Sequence, residues 1–287
     1  MKNFCSLLAI LFVGCIISSC GGDNNSTSKA KNSTTKTNVS STIKDKPLNL
    51  AIFVDLSDRI MKNQSNMKQE DKDKIILKEL AQKFYDKNAK KFAQSKDIFQ
   101  IVFYPAPNGA QDFAQNLSLD LKKLNSVPEK RSALLNFQEN LSNGVDSLYS
   151  NAVKANKFFG SDIWGYFSKD KVKDLYNDGF RNVLVVITDG YIYDANNKVK
   201  DGNNYSYILP STLSIPNSGL IPCKISNPDL EVYVIECNAN PQTDFPKMKT
   251  ILEKWFKDMG IENMDIQDSD IPANVIKHLD KEIFSVY

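Results

Sequence analysis

"LNLAIFVDLSDRIMK" (residues 48–62) decides how this chain is read. Its first seven residues are a short apolar run, the pattern of a strand buried on both faces of a sheet. The run stops at Asp55, Ser57, Asp58 and Arg59. Two acids, a hydroxyl and a cation directly after a core strand have two readings. They form an ordinary strand-end turn, in which Asp and Ser cap whatever follows. Alternatively they begin a metal or ligand site at the carboxyl end of a sheet strand.

Working outward, the chain alternates strand and helix patterns. Residues 66–92 carry Ile76, Leu80 and Phe84 at helical spacing, with Leu77 and Ala81 beside them. "DIFQIVFYP" (97–105) reads as a second strand stopped by Pro105, and "NLSLDL" (116–121) as a short third strand on an edge. Helices are expected over 129–156 and 163–176. "RNVLVVITDG" (181–190) is the strongest strand signal, and "LEVYVIEC" (230–237) is another. An amphipathic helix follows over 243–260, with Met248, Leu252, Trp255 and Met259 on one side, Thr243 suited to its N-cap and Gly260 to its C-cap. "ENMDIQ" (262–267) is a last strand, and 273–287 a final helix carrying Val275, Leu279 and Ile283. Strands separated by helices predict an α/β fold: a doubly wound, mostly parallel six-stranded sheet flanked by helices. Residues 190–229 lack periodicity and hold Tyr191, Tyr193, Tyr205, Tyr207, Pro210 and Pro216. An irregular segment of that length is often functional. Its tyrosines either form a contact surface or pack on the protein's own core.

Ahead of the domain, "MKNFCSLLAILFVGCIISSC" has an early cation, Lys2, and an apolar run from Cys5 to Ile17 that is short for a membrane-spanning helix. Its end, "ISSC" (17–20), resembles the lipobox of bacterial lipoproteins, which implies lipidation of Cys20 and a mature chain that begins there. Acyl chains in pairs or triplets anchor stably where a single one binds marginally. Residues 21–46 are almost free of apolar side chains and read as a flexible tether. The expected organisation is therefore a signal peptide (1–20), a tether (21–46) and one domain (47–287), held at the bacterial cell envelope. The residue after Cys20 is Gly21, and the position that would favour inner-membrane retention carries no Asp, which points to the outer membrane.

Composition excludes several classes of function. Net charge is +2, and the cations are dispersed, with only Arg59, Arg131 and Arg181 as arginines. There is no electrostatic footprint for nucleic acid. Three of the five cysteines lie in the leader, leaving Cys223 and Cys237, an even pair that an exported protein can join as a disulfide. Those two and the single histidine, His278, cannot supply the usual zinc ligand set. His278 falls in a helical pattern and reads as a surface or packing residue.

The chemistry gathers at strand ends. Open α/β sheets bind ligands at the carboxyl ends of strands, beside the point where strand order reverses. Asp55 ends the first strand and Asp189 follows the strand at 183–187. In the common doubly wound order these strands are neighbours, and the two carboxylates converge with Ser57 and Thr188. Oxygen ligands of this kind suit hard cations, above all Mg²⁺, with Mn²⁺ as a substitute.

With "DLSDR" after the first strand and "VITDG" after a later one, the chain resembles the von Willebrand factor type A (vWA) domain. That family builds a metal-ion-dependent adhesion site from Asp-x-Ser-x-Ser, a Thr of a central loop and a later Asp. The resemblance implies a Rossmann-like vWA fold with Asp55, Ser57 and Asp189 as ligands. It also sets "FGSDIWGYF" (159–167) on the central loop, with Ser161 as a hydroxyl ligand in place of Thr. One position departs, because the second Ser of the motif falls on Arg59. A guanidinium only donates hydrogen bonds and cannot ligate a metal. Either Arg59 turns outward while Asp58 or a water fills the gap, or it pairs with Asp55 or Asp189 and replaces the ion.

Three functions follow as expectations. One is an anchored binding module that captures a protein partner through a metal-bound face. Another is a metal-free structural or assembly subunit of an envelope complex, locked by Arg59. The third is an Mg²⁺-dependent hydrolase or phosphotransferase. Enzyme activity is disfavoured, since the chain has no phosphate-cradling GxxxxGK[ST] loop and no GxSxG nucleophile turn.

Overall fold

The computed structural model describes residues 46–64, 67–105, 116–154, 162–168, 171–192, 221–225, 229–238 and 244–285. Residues 1–45 (the leader and nearly all of the tether), Ser161, and Tyr193, Tyr205, Tyr207, Pro210 and Pro216 lie outside the described residues.

Six strands form one open sheet: β1 (Leu48–Val54), β2 (Ile98–Val102), β3 (Leu119–Asp120), β4 (Arg181–Ile187), β5 (Glu231–Cys237) and β6 (Asn263–Asp268). Their order across the sheet is β3-β2-β1-β4-β5-β6. Only the two-residue edge strand β3 runs antiparallel. This is the doubly wound arrangement read from the sequence and is consistent with a vWA-like fold. The continuous apolar runs take the centre: all seven residues of β1 and all seven of β4 are buried. The two strands pair in register from Leu48 with Arg181 to Val54 with Ile187. Strand order reverses between them, so the ends carrying Asp55 and Asp189 lie side by side.

Helices cover both faces. On one face Leu50, Ile52 and Val54 pack with Ile76, Leu80 and Phe84 of α1 (Gln69–Ala89), with α2 (Val127–Lys154), and with Val275 and Leu279 of α6 (Pro272–Leu279). On the other, Ala51 and Phe53 pack with Phe167 of α3 (Ile163–Ser168), Val172 of α4 (Lys171–Asp174) and Trp255 of α5 (Phe245–Met259). The expected apolar side of α5 is the buried one: Met248, Leu252, Trp255 and Met259 are all in the core. Gly260 ends it at φ 95°.

Several boundaries move. The helix expected over 163–176 is described as the two short helices α3 and α4. The N-cap of α5 is Asp244, not Thr243: its carboxylate accepts the Lys247 N–H, and Pro246 suits the first turn. After α6 the chain widens into a π turn over Asp280–Phe284. Between β1 and α1 the sequence showed no element, yet the structure places a 3₁₀ turn (Asp58–Met61) and a two-residue hairpin pairing Asn63–Gln64 with Met67–Lys68. Among the described residues no helix is long and apolar enough to cross a membrane.

The disulfide left open by the sequence is not formed. Cys223 lines a cavity of about 280 Å³ with Leu230, at the entrance to β5, whereas Cys237 ends that strand. The seven residues of β5 span roughly 20 Å, several times the Cα spacing a disulfide bridges. Burial pushes the Cys237 thiol well above its ordinary pKa, as an inert core cysteine.

Candidate site at the carboxyl ends of β1 and β4

Asp55 is the first residue beyond β1, and its backbone N–H donates to the Ile187 carbonyl at the end of β4 (3.0 Å). Its buried carboxylate accepts from two sides. The Ser57 N–H reaches Oδ1 at 3.0 Å, and the Thr188 hydroxyl reaches Oδ2 at 2.8 Å. Asp55, Ser57 and Thr188 therefore come together as expected from the sequence. Asp189 joins them. Its backbone carbonyl is held by Asn238 beyond β5 (3.1 Å), and its Oδ2 accepts from Lys62 Nζ at 3.2 Å.

Burial is the main force on Asp55 and raises its pKa from 3.8 to about 6. Arg59 pulls it back, and Asp189 pushes it up again, as a like charge must. The two strand-end carboxylates thus share one electrostatic environment.

Of the two paths expected for Arg59, the outward turn is not taken and the pairing with Asp55 is present but secondary. It does not turn outward, and its main partner is neither Asp55 nor Asp189. Its side chain is 1% exposed and is tucked beneath the strand ends. Nη2 donates to Asp73 Oδ2 at 2.6 Å and to the Ile187 carbonyl at 3.2 Å, while Nε donates to the Asp55 carbonyl at 3.0 Å. Only a longer approach, 3.6 Å from Nε to Oδ2, links it to the Asp55 carboxylate. The 3₁₀ turn causes this. Ser57 caps it, and the tight turn carries residue 59 back under the chain. Asp58 stays exposed on the first turn and does not fill the Arg59 position.

Asp73 opens a buried polar network that the sequence reading missed. Gln69 Nε2 bridges Asp73 Oδ1 (2.8 Å) and Glu236 Oε2 (3.0 Å), and Tyr149 donates to Asp73 Oδ2 (3.1 Å). Lys72 Nζ pairs with Glu236 Oε2 at 2.9 Å and with the Ser269 hydroxyl at 2.7 Å. One signal was present: Gln69 and Asp73 extend the Ile76, Leu80 and Phe84 stripe of α1 upstream, so polar residues occupy a core-facing side. Glu236 had none. By strand alternation it belongs with Val232 and Val234, against α5. A bulge between Val234 and Cys237, with Glu236 at φ 63°, turns it toward α1 instead.

Gly190 closes the loop after Asp189 at φ 89°, a conformation that costs an L residue strain. A Cβ there would stand 2.5 Å from Met248 Sδ, which is flexible enough to shift. Gly190→Ala is therefore expected to lower stability by about 1–2 kcal/mol, mostly through backbone strain, in urea unfolding. An unchanged midpoint would show that the loop relaxes freely. Beside it, Tyr191 packs on the core containing Trp255, which gives this tyrosine the packing role. Asp162, next to Ser161, accepts the Gly165 N–H at 2.6 Å and so caps α3.

The fold is thus a doubly wound α/β sheet with paired carboxylates at its switch point. No protein-family profile and no curated protein matches the chain. Among solved structures, it is similar to an aerotolerance-related membrane protein from Bacteroides fragilis NCTC 9343 (12% identity, TM-score 0.40, 83% of this chain and 99% of that one). It is also similar to BatB from Bacteroides thetaiotaomicron (11%, 0.40, 83% and 98%). A third is the pilus adhesin SpaC from Lactobacillus rhamnosus GG (11%, 0.43, 84% of this chain and 30% of that one).

Proposed function

We propose that this chain is a vWA-like protein-binding module of the bacterial cell envelope. A lipid on Cys20 anchors it, with the outer membrane as its place. Its binding face is the mouth formed by Asp55, Ser57 and Asp189, and Mg²⁺ is the ion that mouth takes. The observation carrying this reading is the charge balance at the strand ends. Among the described residues, four carboxylates (Asp55, Asp73, Asp189, Glu236) meet three cations (Arg59, Lys62, Lys72). The shortfall falls on Asp55, which burial leaves ready to take up a proton near pH 6.

A hard divalent cation fits the same need. Two carboxylates and the hydroxyls of Ser57 and Thr188 are oxygen donors, and Mg²⁺ completes such a set with water. Among the described residues no three His, Cys, Asp or Glu side chains cluster as metal ligands, so hydroxyls and water would have to supply the rest. Asp73 offsets much of the Arg59 charge below the mouth, which lessens its opposition to an ion at Asp55. The bound ion would supply an open coordination position. The chain's own residues hold the carboxylates in place: Thr188 and the Ser57 N–H orient Asp55, and the Asn238 and Tyr191 backbone brace Asp189. Leader and tether support the location, since a lipid and about two dozen polar residues let a domain reach a protein partner away from the membrane.

The test is calorimetric titration of the purified protein with Mg²⁺ and Mn²⁺, with Asp55→Ala as control. Saturable binding is expected, weakening as pH falls through about 6 because a proton competes for Asp55. It should be lost in the variant. No binding of either ion would leave the second reading, a metal-free assembly subunit. One observation favours that reading: Lys62 already neutralises Asp189.

A further inference from the structure

We infer that Lys62 is a tethered, releasable cation of this mouth. Its ammonium contacts Asp189 Oδ2 at 3.2 Å, a ligand oxygen of the proposed ion, so binding of that ion would displace Lys62. This inference rests on the binding reading above and adds a control to it.

Two cations stand beside the strand-end carboxylates, and they are built differently. Arg59 cannot leave, being buried, held by Asp73 and bonded to two strand-end carbonyls. The Lys62 side chain is 50% exposed and makes its contact with an Asp189 carboxylate that is 12% exposed. Its backbone is nevertheless pinned. The Lys62 N–H donates to the Arg59 carbonyl at 3.0 Å, closing the 3₁₀ turn, and its carbonyl accepts the Gln69 N–H at 3.0 Å, at the start of α1. The fixed main chain delivers the ammonium to Asp189, while the four-carbon stem is free to swing it into water. Lysine suits this role: it is a compact, well-hydrated charge on a flexible stem and lacks the rigid fork that makes arginine hold on.

The energetics favour exchange over coexistence. A half-exposed Lys–Asp pair is weak, so a divalent ion displaces it readily. Retaining Lys62 next to that ion would set like charges side by side. Affinity for the ion is therefore lowered by the resident lysine. High salt weakens the lysine pair and narrows that penalty.

Calorimetric Mg²⁺ titration of wild type, Lys62→Gln and Lys62→Arg tests this, together with the side-chain ammonium ¹⁵N signal of Lys62, assigned by its absence from Lys62→Gln. The glutamine variant is expected to bind Mg²⁺ about five- to tenfold more tightly than wild type, a gain that shrinks with added salt. The arginine variant should bind no more tightly than wild type. Saturating Mg²⁺ should move the Lys62 signal toward that of a solvated lysine. Glutamine and wild-type affinities within about twofold of each other, or a Lys62 signal unmoved at saturation, would overturn the inference and leave the ion site standing. Binding seen only in the glutamine variant would be the competition at its strongest. No binding in any variant would remove both the ion site and its lysine control.

Discussion

Replacing Arg59 with Ser lowers stability by about 3–5 kcal/mol near neutral pH, the usual cost of removing one partner from a buried ion pair. Urea unfolding followed by circular dichroism measures it, with a fall in melting temperature of roughly 10 °C for a domain of this size. The reason lies in what is left behind. Asp73 is fully buried, burial already raises its pKa, and Arg59 is the charge that counters this. Without Arg59, Gln69 and Tyr149 are the donors left to its carboxylate among the described residues, and the Asp55 and Ile187 carbonyls lose a donor. Two further results follow. The loss shrinks in acid, where Asp73 takes up a proton. The pair Arg59→Met with Asp73→Asn recovers part of it, because no charge is stranded. A loss under about 1 kcal/mol, accompanied by a gain in Mg²⁺ affinity, would instead mark residue 59 as an exchangeable remnant of a ligand position.

Asp55→Asn should stabilise the ion-free protein above pH 7 by about 3 kcal/mol, and the advantage should disappear near pH 4. The sign comes from the direction of the shift. Burial, with Asp189 adding to it, raises the Asp55 pKa from 3.8 to about 6 in the folded state. Between these values the folded state binds more protons than the unfolded chain. The contribution of Asp55 is therefore fully present below about pH 4 and is lost as pH rises through 6. Asparagine resembles the protonated acid at every pH and keeps an oxygen for the Ser57 N–H. Comparing the two proteins across pH in the presence of a chelator cancels the other titrating groups. A difference that does not vary with pH would show that Asp55 is not held in this unfavourable charged state. Adding Mg²⁺ at pH 7.5 should reverse the order, since only the carboxylate gains from the ion.

How much was legible varied with the range of the interaction. The runs at 48–54, 181–187 and 230–237 showed as buried strands because a strand covered on both faces needs apolar residues throughout. The side of α5 bearing Trp255 showed through its 3.6-residue spacing. The gathering of Asp55, Thr188 and Asp189 at the strand ends was legible because polar groups at the end of a buried strand stand out against it. The state of Cys223 and Cys237 stayed open, since an even cysteine count says nothing about which end of a strand each occupies.

By itself, then, the sequence determined the alternation of strands and helices, the doubly wound class and the strand ends at which acids gather. These follow from local periodicity, which each segment carries within itself. Only the tertiary structure decided what Arg59 does. Its partner Asp73 lies on the following helix, and a 3₁₀ turn rather than a residue type aims the guanidinium inward. The same holds for Glu236, which a single positive φ moves from one face of the sheet to the other, and for Lys62, whose role exists only because β1 and β4 end side by side. Burial makes these pairings consequential: in water such charges would matter little, but beneath the strand ends each must find its partner or change its protonation.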